Sequence, residues 1–147
     1  MTLNQHYRNA VLYPSLCAIV LIVILSIIDN YDYKSEWLTS GYVIFLSIVY
    51  AFIYSLIIQV LALPIFLIRY PRIRNNTFFT ALCWFLLPFG FITIVFIHEI
   101  SFTLKYEGKL GIEFIYTMTL NLPYVIGLLW GYRKYRSSNA NPANNSI

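Results

Sequence analysis

Charge is scarce in this sequence, and that scarcity excludes most of what a chain of this size could be. Only 11% of its 147 residues are Asp, Glu, Lys or Arg, where a soluble domain carries about 25%. The length leaves room for one compact helical unit and no separate soluble domain. Cysteine is scarce too. Cys17 and Cys83 form no C-x-x-C and both fall in apolar runs, so they indicate neither a disulfide framework nor a redox pair. There is no H-E-x-x-H, no G-x-S-x-G, no phosphate loop and no set of metal ligands at membrane depth; no catalytic centre, cofactor or metal site is expected. Targeting signals are missing as well. Thr2 stands where myristoylation requires glycine, and the C-terminus carries no prenylation box. The apolar run after Arg8 is too long for a signal peptide and is followed by no A-x-A-like site, so it is expected to remain as an anchor.

What fills the chain instead is apolar: 59% of it is hydrophobic and 18% aromatic. The run from Tyr42 to Ile68 is interrupted only by Ser47, Ser55, Gln59 and Pro64, and stops at Arg69-Tyr-Pro-Arg-Ile-Arg74. A hydrocarbon core about 30 Å thick needs about 20 helical residues. A longer run crosses it with a tilt, or with a bend near Pro64. Three more runs bring the expected spans to about 11–28, 42–68, 78–97 and 112–132. The expected fold class is an all-α membrane protein, a four-transmembrane-helix bundle of two antiparallel hairpins, because the connections are short. Residues 1–136 are expected to form this domain. Ser137–Ile147, rich in Asn and Ser, is expected to be a disordered cytoplasmic tail.

Charge asymmetry orients the bundle. With both termini on one side, that side holds Arg8, Arg69, Arg72, Arg74, Arg133, Lys134 and Arg136, and the other holds Lys34, Lys105, Lys109 and all six acidic residues. Basic residues gather on the cytoplasmic side of membrane proteins, so N-in and C-in, in a cell inner (plasma) membrane, is the expected topology. Aromatic belts support it, with Tyr7, Tyr13, Tyr70, Trp130, Tyr132 and Tyr135 at the inner edge and Tyr31, Tyr33, Trp37, Tyr42 and Tyr106 at the outer. The net charge of +4 lies at the ends of apolar runs. It therefore points to anionic lipid headgroups as partners and not to nucleic acid.

Candidate site residues fall in two groups. In the second span Ser47, Ala51, Ser55 and Gln59 recur every four residues. In the fourth, Glu113, Thr117, Asn121, Tyr124, Gly127 and Gly131 follow at steps of three or four. Small residues at this spacing let helix backbones approach closely. Both faces are expected to meet protein, either helices of the same chain or a second copy in a homo-oligomer. Gln59 and Asn121 differ in expected depth by about 3 Å. An amide left unpartnered in hydrocarbon costs several kcal/mol, so each needs a partner, in a structural hydrogen bond or in a polar patch lining a cavity. The second group is a cytoplasmic basic patch of Arg69, Arg72, Arg74, Arg133, Lys134 and Arg136, suited to anionic lipid or to an acidic protein partner.

Other features have structural readings. Pro14 is expected in a first turn, where it does no harm, while Pro88 and Pro123 are expected to kink their helices. Cys17 and Cys83 are expected to be small core residues. His98, Glu99 and Glu113 sit at the outer edge, where charge is easily tolerated. No acid or base lies deep in a span, and a proton-driven antiporter would need one. The function expected from these features is that of a small non-enzymatic inner-membrane subunit. It would self-associate and work with a cytosolic or membrane protein, as a sensor, scaffold or immunity-type component of a bacterial multi-protein system. The alternative is a small transporter, channel or lipid-handling protein that uses the Gln59 and Asn121 layer.

Overall fold

The computed structural model describes residues 2–30, 39–106 and 111–140. Four long helices account for nearly all of them: α1 (Leu3–Asp29), α2 (Ser40–Arg69), α3 (Thr77–Tyr106) and α4 (Ile112–Ala140), with a single helical turn, Pro71–Arg74, in the α2–α3 connection. There is no strand among the described residues. Each long helix has the length and hydropathy to cross a membrane. This is a multi-pass membrane protein by architecture.

The helices outrun the expected spans because hydropathy measures the hydrocarbon crossing, while capping decides where a helix starts. α1 begins at Leu3, well before Val11, because Thr2 and Gln5 form a reciprocal cap: the Thr2 N–H donates to Gln5 Oε1 at 2.9 Å and Thr2 Oγ1 accepts from the Gln5 N–H. α3 begins behind Asn76, whose Oδ1 accepts from the Phe78 and Phe79 N–H groups at 2.9 and 3.3 Å. It runs past Ile97 to Tyr106, so His98 and Glu99 are helical. α4 continues to Ala140 and takes in the first residues of the segment expected as a tail. The remainder of that tail, and the acidic and basic residues at 31–38 and 107–110, lie outside the described residues.

Each proline acts locally. Pro14 lies inside α1 and not in its first turn. The preceding residues Arg8–Leu12 form a wide π turn in which the Tyr13 N–H donates to Arg8 O, five residues back. A proline ring crowds the carbonyl four residues before it, here that of Ala10, and a widened turn relieves the crowding. In α2 the α-helical part ends at Leu61, and Leu63–Arg69 continues as a tighter 3-10 segment around Pro64. The helical assignment of α3 and α4 passes through Pro88 and Pro123 without interruption.

Only 22–39% of the most apolar window of each span is buried inside the chain. Ile28, Phe45, Phe78 and Ile94 are among many exposed large apolar side chains. A water-soluble monomer does not tolerate apolar surface on that scale, whereas lipid solvates it. The core is a narrow seam of Val11, Ala18, Ile58, Trp84, Tyr124 and Leu128. α1 is central to it, packing on both α2 and α4, and α3 closes against α4.

Candidate functional site

Both small-residue rows turn into the chain, where α1 packs against each helix and the Tyr124 hydroxyl reaches Ser55. Ala51 and Ser55 on α2 are buried, as are Asn121, Gly127 and Gly131 on α4. The glycines mark the closest approach. A Cβ at Gly127 would overlap the Pro14 ring and fall 2.6 Å from the Ala10 carbonyl oxygen. One at Gly131 would fall 2.5 Å from Ala10 Cβ and 3.0 Å from the Trp84 ring. Here Gly127-x-x-x-Gly131 is the seat of α1 on α4, with Ala10 in the notch. Gly90 on α3 has nothing near its Cβ position.

A ladder of polar side chains crosses this seam. The Tyr54 hydroxyl on α2 donates to Asn121 Oδ1 at 2.5 Å, and Asn121 Nδ2 donates back to the Thr117 carbonyl at 2.8 Å. The Tyr124 hydroxyl donates to Ser55 Oγ at 2.6 Å. Gln59 Nε2 donates to Ser15 Oγ on α1 at 3.2 Å, and the Ser15 hydroxyl donates to the Val11 carbonyl at 2.8 Å. The Tyr7 hydroxyl donates to the Gln59 carbonyl at 2.8 Å. Gln59 and Asn121 therefore each have a partner, but not one another. Their amides are held by Ser15 and Tyr54. Such interhelical bonds contribute about 0.6–2 kcal/mol each in a membrane protein. These bonds tie α2 to both α1 and α4.

Above the ladder, on the Asp29 side, α1, α2 and α4 part to leave a cleft of about 270 Å³ lined by Ile22, Leu46, Ser47, Tyr50, Thr117 and Leu120. The Ser47 hydroxyl is turned back to the Val43 carbonyl at 3.1 Å. The cleft thus shows mostly apolar wall.

At the other end lie the basic residues. Arg69, Arg72, Arg74, Arg133 and Arg136 are exposed, and no ion pair involves them among the described residues. Half-buried Lys134 places its Nζ 5.1 Å from the Trp130 ring centroid. Arg69 and Arg74 face Tyr135 of α4 across a cavity that the first turn of α1 completes. The α2–α3 connection and the end of α4 thus come together around the N-terminal turn.

Several residues have other places than their sequence suggests. Tyr132 and Tyr135 pack on buried Trp84, each with its ring centroid 6.0 Å away. Buried His6 meets Tyr135 edge-on at 5.6 Å. Cys17 is exposed on the apolar flank of α1 and Cys83 is half-buried, so the core reading fails for Cys17. Tyr7, Ser15 and Tyr54 were absent from the candidate rows. One signal could have found Ser15: the four-residue spacing of Tyr7, Val11 and Ser15, continued by Ala18, Ile22 and Ser26, draws a buried stripe on α1. Tyr54 lies off the i, i+4 row of α2, and only the packing reveals its partner.

No protein-family model, curated protein or solved structure matches this chain.

Proposed function

We propose that the chain is a non-enzymatic inner-membrane subunit of two antiparallel helix hairpins, with both termini in the cytoplasm. It docks an acidic partner protein and anionic lipid on its basic end. The observation that carries this reading is the exposure of Arg69, Arg72, Arg74, Arg133 and Arg136 at one end of the bundle, with no carboxylate on them among the described residues. Guanidinium groups left open in this way recognise carboxylate or phosphate in bidentate fashion. The transport alternative receives less support. The polar side chains that a pathway would need are matched to one another in the ladder, and Ser55 and Asn121 are each 1% exposed. Self-association runs through the outer groove of α3, lined by Ala81, Phe85, Phe89 and Gly90. Gly90 faces open space there and admits a second helix. Ala51, Ser55, Asn121, Gly127 and Gly131 of the small-residue rows are already buried within the chain.

Purification of the full chain in mild detergent, followed by mass analysis, tests this reading. The comparison is with a variant carrying Arg72→Gln, Arg133→Gln and Arg136→Gln. A protein retained at fixed stoichiometry by the wild type and lost from an equally stable variant supports it. Absence of any retained protein, together with solute flux in liposomes that Asn121→Leu abolishes, would replace it with the transport reading.

A further inference from the structure

The basic end contains more than a charged surface. Between the first turn of α1, the 3-10 end of α2, the Pro71–Arg74 turn and the end of α4 lies a cavity of about 460 Å³. That volume is within the range of small-molecule sites, about 300–1,000 Å³. Its polar wall is made by Arg69, Arg74, Thr2, Asn4 and Tyr135, and Phe66 contributes to the apolar wall. Three stretches distant in sequence, residues 2–4, 66–74 and 135, converge on it. Its rim is held by the reciprocal Thr2–Gln5 cap, by the Thr80 hydroxyl donating to the Ile73 carbonyl at 2.9 Å, and by the Tyr7 ring lying 5.0 Å from that of Phe66. Arg69 and Arg74 thus line the same cavity.

Their situation differs from that of the neighbouring cations. Arg8 lies over the Tyr13 ring at 5.8 Å and Lys134 over Trp130, while Arg72 shares the helical turn of Arg74 but does not line the cavity. Arg69 and Arg74 have no carboxylate partner among the described residues. Like charges held around one space favour an anion between them, and two planar forks suit the oxygens of a phosphate. The mixed wall favours a particular source. Phe66 and Leu3 offer apolar surface to a glycerol backbone, Thr2 and Asn4 offer polar groups to headgroup hydroxyls, and exposed Leu67 and Tyr70 flank Arg69 as residues at a membrane edge would.

We propose that this cavity binds the phosphate of an anionic phospholipid headgroup between Arg69 and Arg74. The inference rests on the reading that the basic end lies in the cytoplasmic headgroup region. It adds a discrete, saturable site to that reading.

Native mass spectrometry of the full chain in mild detergent, with phosphatidylglycerol or phosphatidylcholine added, tests it. Both lipids carry the phosphate, but only the first is anionic. One phosphatidylglycerol should be retained at least tenfold better than phosphatidylcholine. Arg69→Gln and Arg74→Gln should each reduce that retention about tenfold, whereas Arg72→Gln should change it less than twofold. Asn4→Asp, an exposed substitution that leaves the fold's contacts alone, should also weaken retention by adding a negative charge to the wall. Equal losses from Arg72→Gln and Arg74→Gln would mean diffuse surface attraction and overturn the site. So would unchanged retention in Arg69→Gln, Arg74→Gln and Asn4→Asp. Inorganic phosphate that raises thermal stability and displaces the lipid at millimolar concentration would reassign the cavity to a soluble phosphate and overturn the lipid source. Orientation is read separately. A reporter fused after Ile147 that lies outside the cell would refute the proposed topology, while lipid retention in detergent would still decide for or against the cavity.

Discussion

The seat of α1 on α4 yields the most exacting test, because two glycines of one chain should respond in opposite directions to the same added methyl. Gly127→Ala brings its Cβ to 2.6 Å from the Ala10 carbonyl oxygen and into the Pro14 ring, where ordinary contact begins at 3.4 Å. Neither neighbour can turn aside, since one is backbone and the other a ring fixed to it. The helices must separate by about 1.1 Å to bring the shortest approach, 2.3 Å to Pro14 Cγ, to ordinary contact. A gap of that size forfeits a quarter to a half of each dispersion contact along the seam, and overpacking of this kind costs about 1–3 kcal/mol. Alanine's better helix propensity returns up to about 1 kcal/mol, leaving a net loss of about 1–2 kcal/mol. Gly90→Ala adds the same methyl where nothing lies within 4 Å. Within the single chain only the propensity term acts there, so the stability of the monomer should be unchanged or rise by up to about 1 kcal/mol. Equilibrium unfolding in mixed micelles, followed by tryptophan emission, measures both. Trp84 is a suitable reporter because its ring is part of the same seam. A Gly127→Ala protein as stable as wild type, or a Gly90→Ala protein less stable than Gly127→Ala, would refute the close approach of α1 and α4.

Three further outcomes follow from the packing. Tyr54→Phe and Asn121→Leu should be coupled in a double-mutant cycle by about 0.6–2 kcal/mol, and additive effects would mean that the ladder is not formed. Trp84→Ala, which empties a fully buried site beside Tyr132 and Tyr135, should reduce stability by about 3–5 kcal/mol and weaken the near-ultraviolet dichroism of those rings; a loss below about 1 kcal/mol would contradict the seam. In single-cysteine variants in detergent, a small apolar maleimide should label exposed Cys17 faster than half-buried Cys83, and the reverse order would mean that α1 is rotated from the orientation described.

How much of this was legible in the sequence differs from element to element. The two candidate rows could be read because helix periodicity alone groups residues 47, 51, 55 and 59, and residues 117, 121, 124, 127 and 131, on single faces. What those faces meet could not be read. The rows served equally well for packing within a chain or between copies, and burial of Ala51, Ser55, Asn121 and Gly127 is a property of three-dimensional arrangement. Tyr132 and Tyr135 illustrate the same limit. Their position near a cluster of cations reads as interfacial, yet contact with Trp84, about fifty positions earlier in the chain, buries Tyr135 in the core and packs Tyr132 against it. Helix ends were misjudged at α1 and α3 because an apolar count measures the hydrocarbon crossing and says nothing of the polar turns capped beyond it.

By itself the sequence determined that the chain builds four membrane-length helices and keeps arginine and acid in alternate interruptions of the apolar runs. Both follow from local quantities: the free energy of placing each residue in hydrocarbon, and the order in which charges interrupt apolar runs. Only the tertiary structure decided that Gln59 pairs with Ser15 and Asn121 with Tyr54, that Ala10 occupies the glycine notch, and that Arg69 and Arg74 share a cavity with Thr2. Those facts depend on which faces of rigid rods touch and how closely. In lipid that choice rests on short-range packing and hydrogen bonding between segments far apart in the chain, because apolar surface there has no preference between a neighbouring helix and the bilayer.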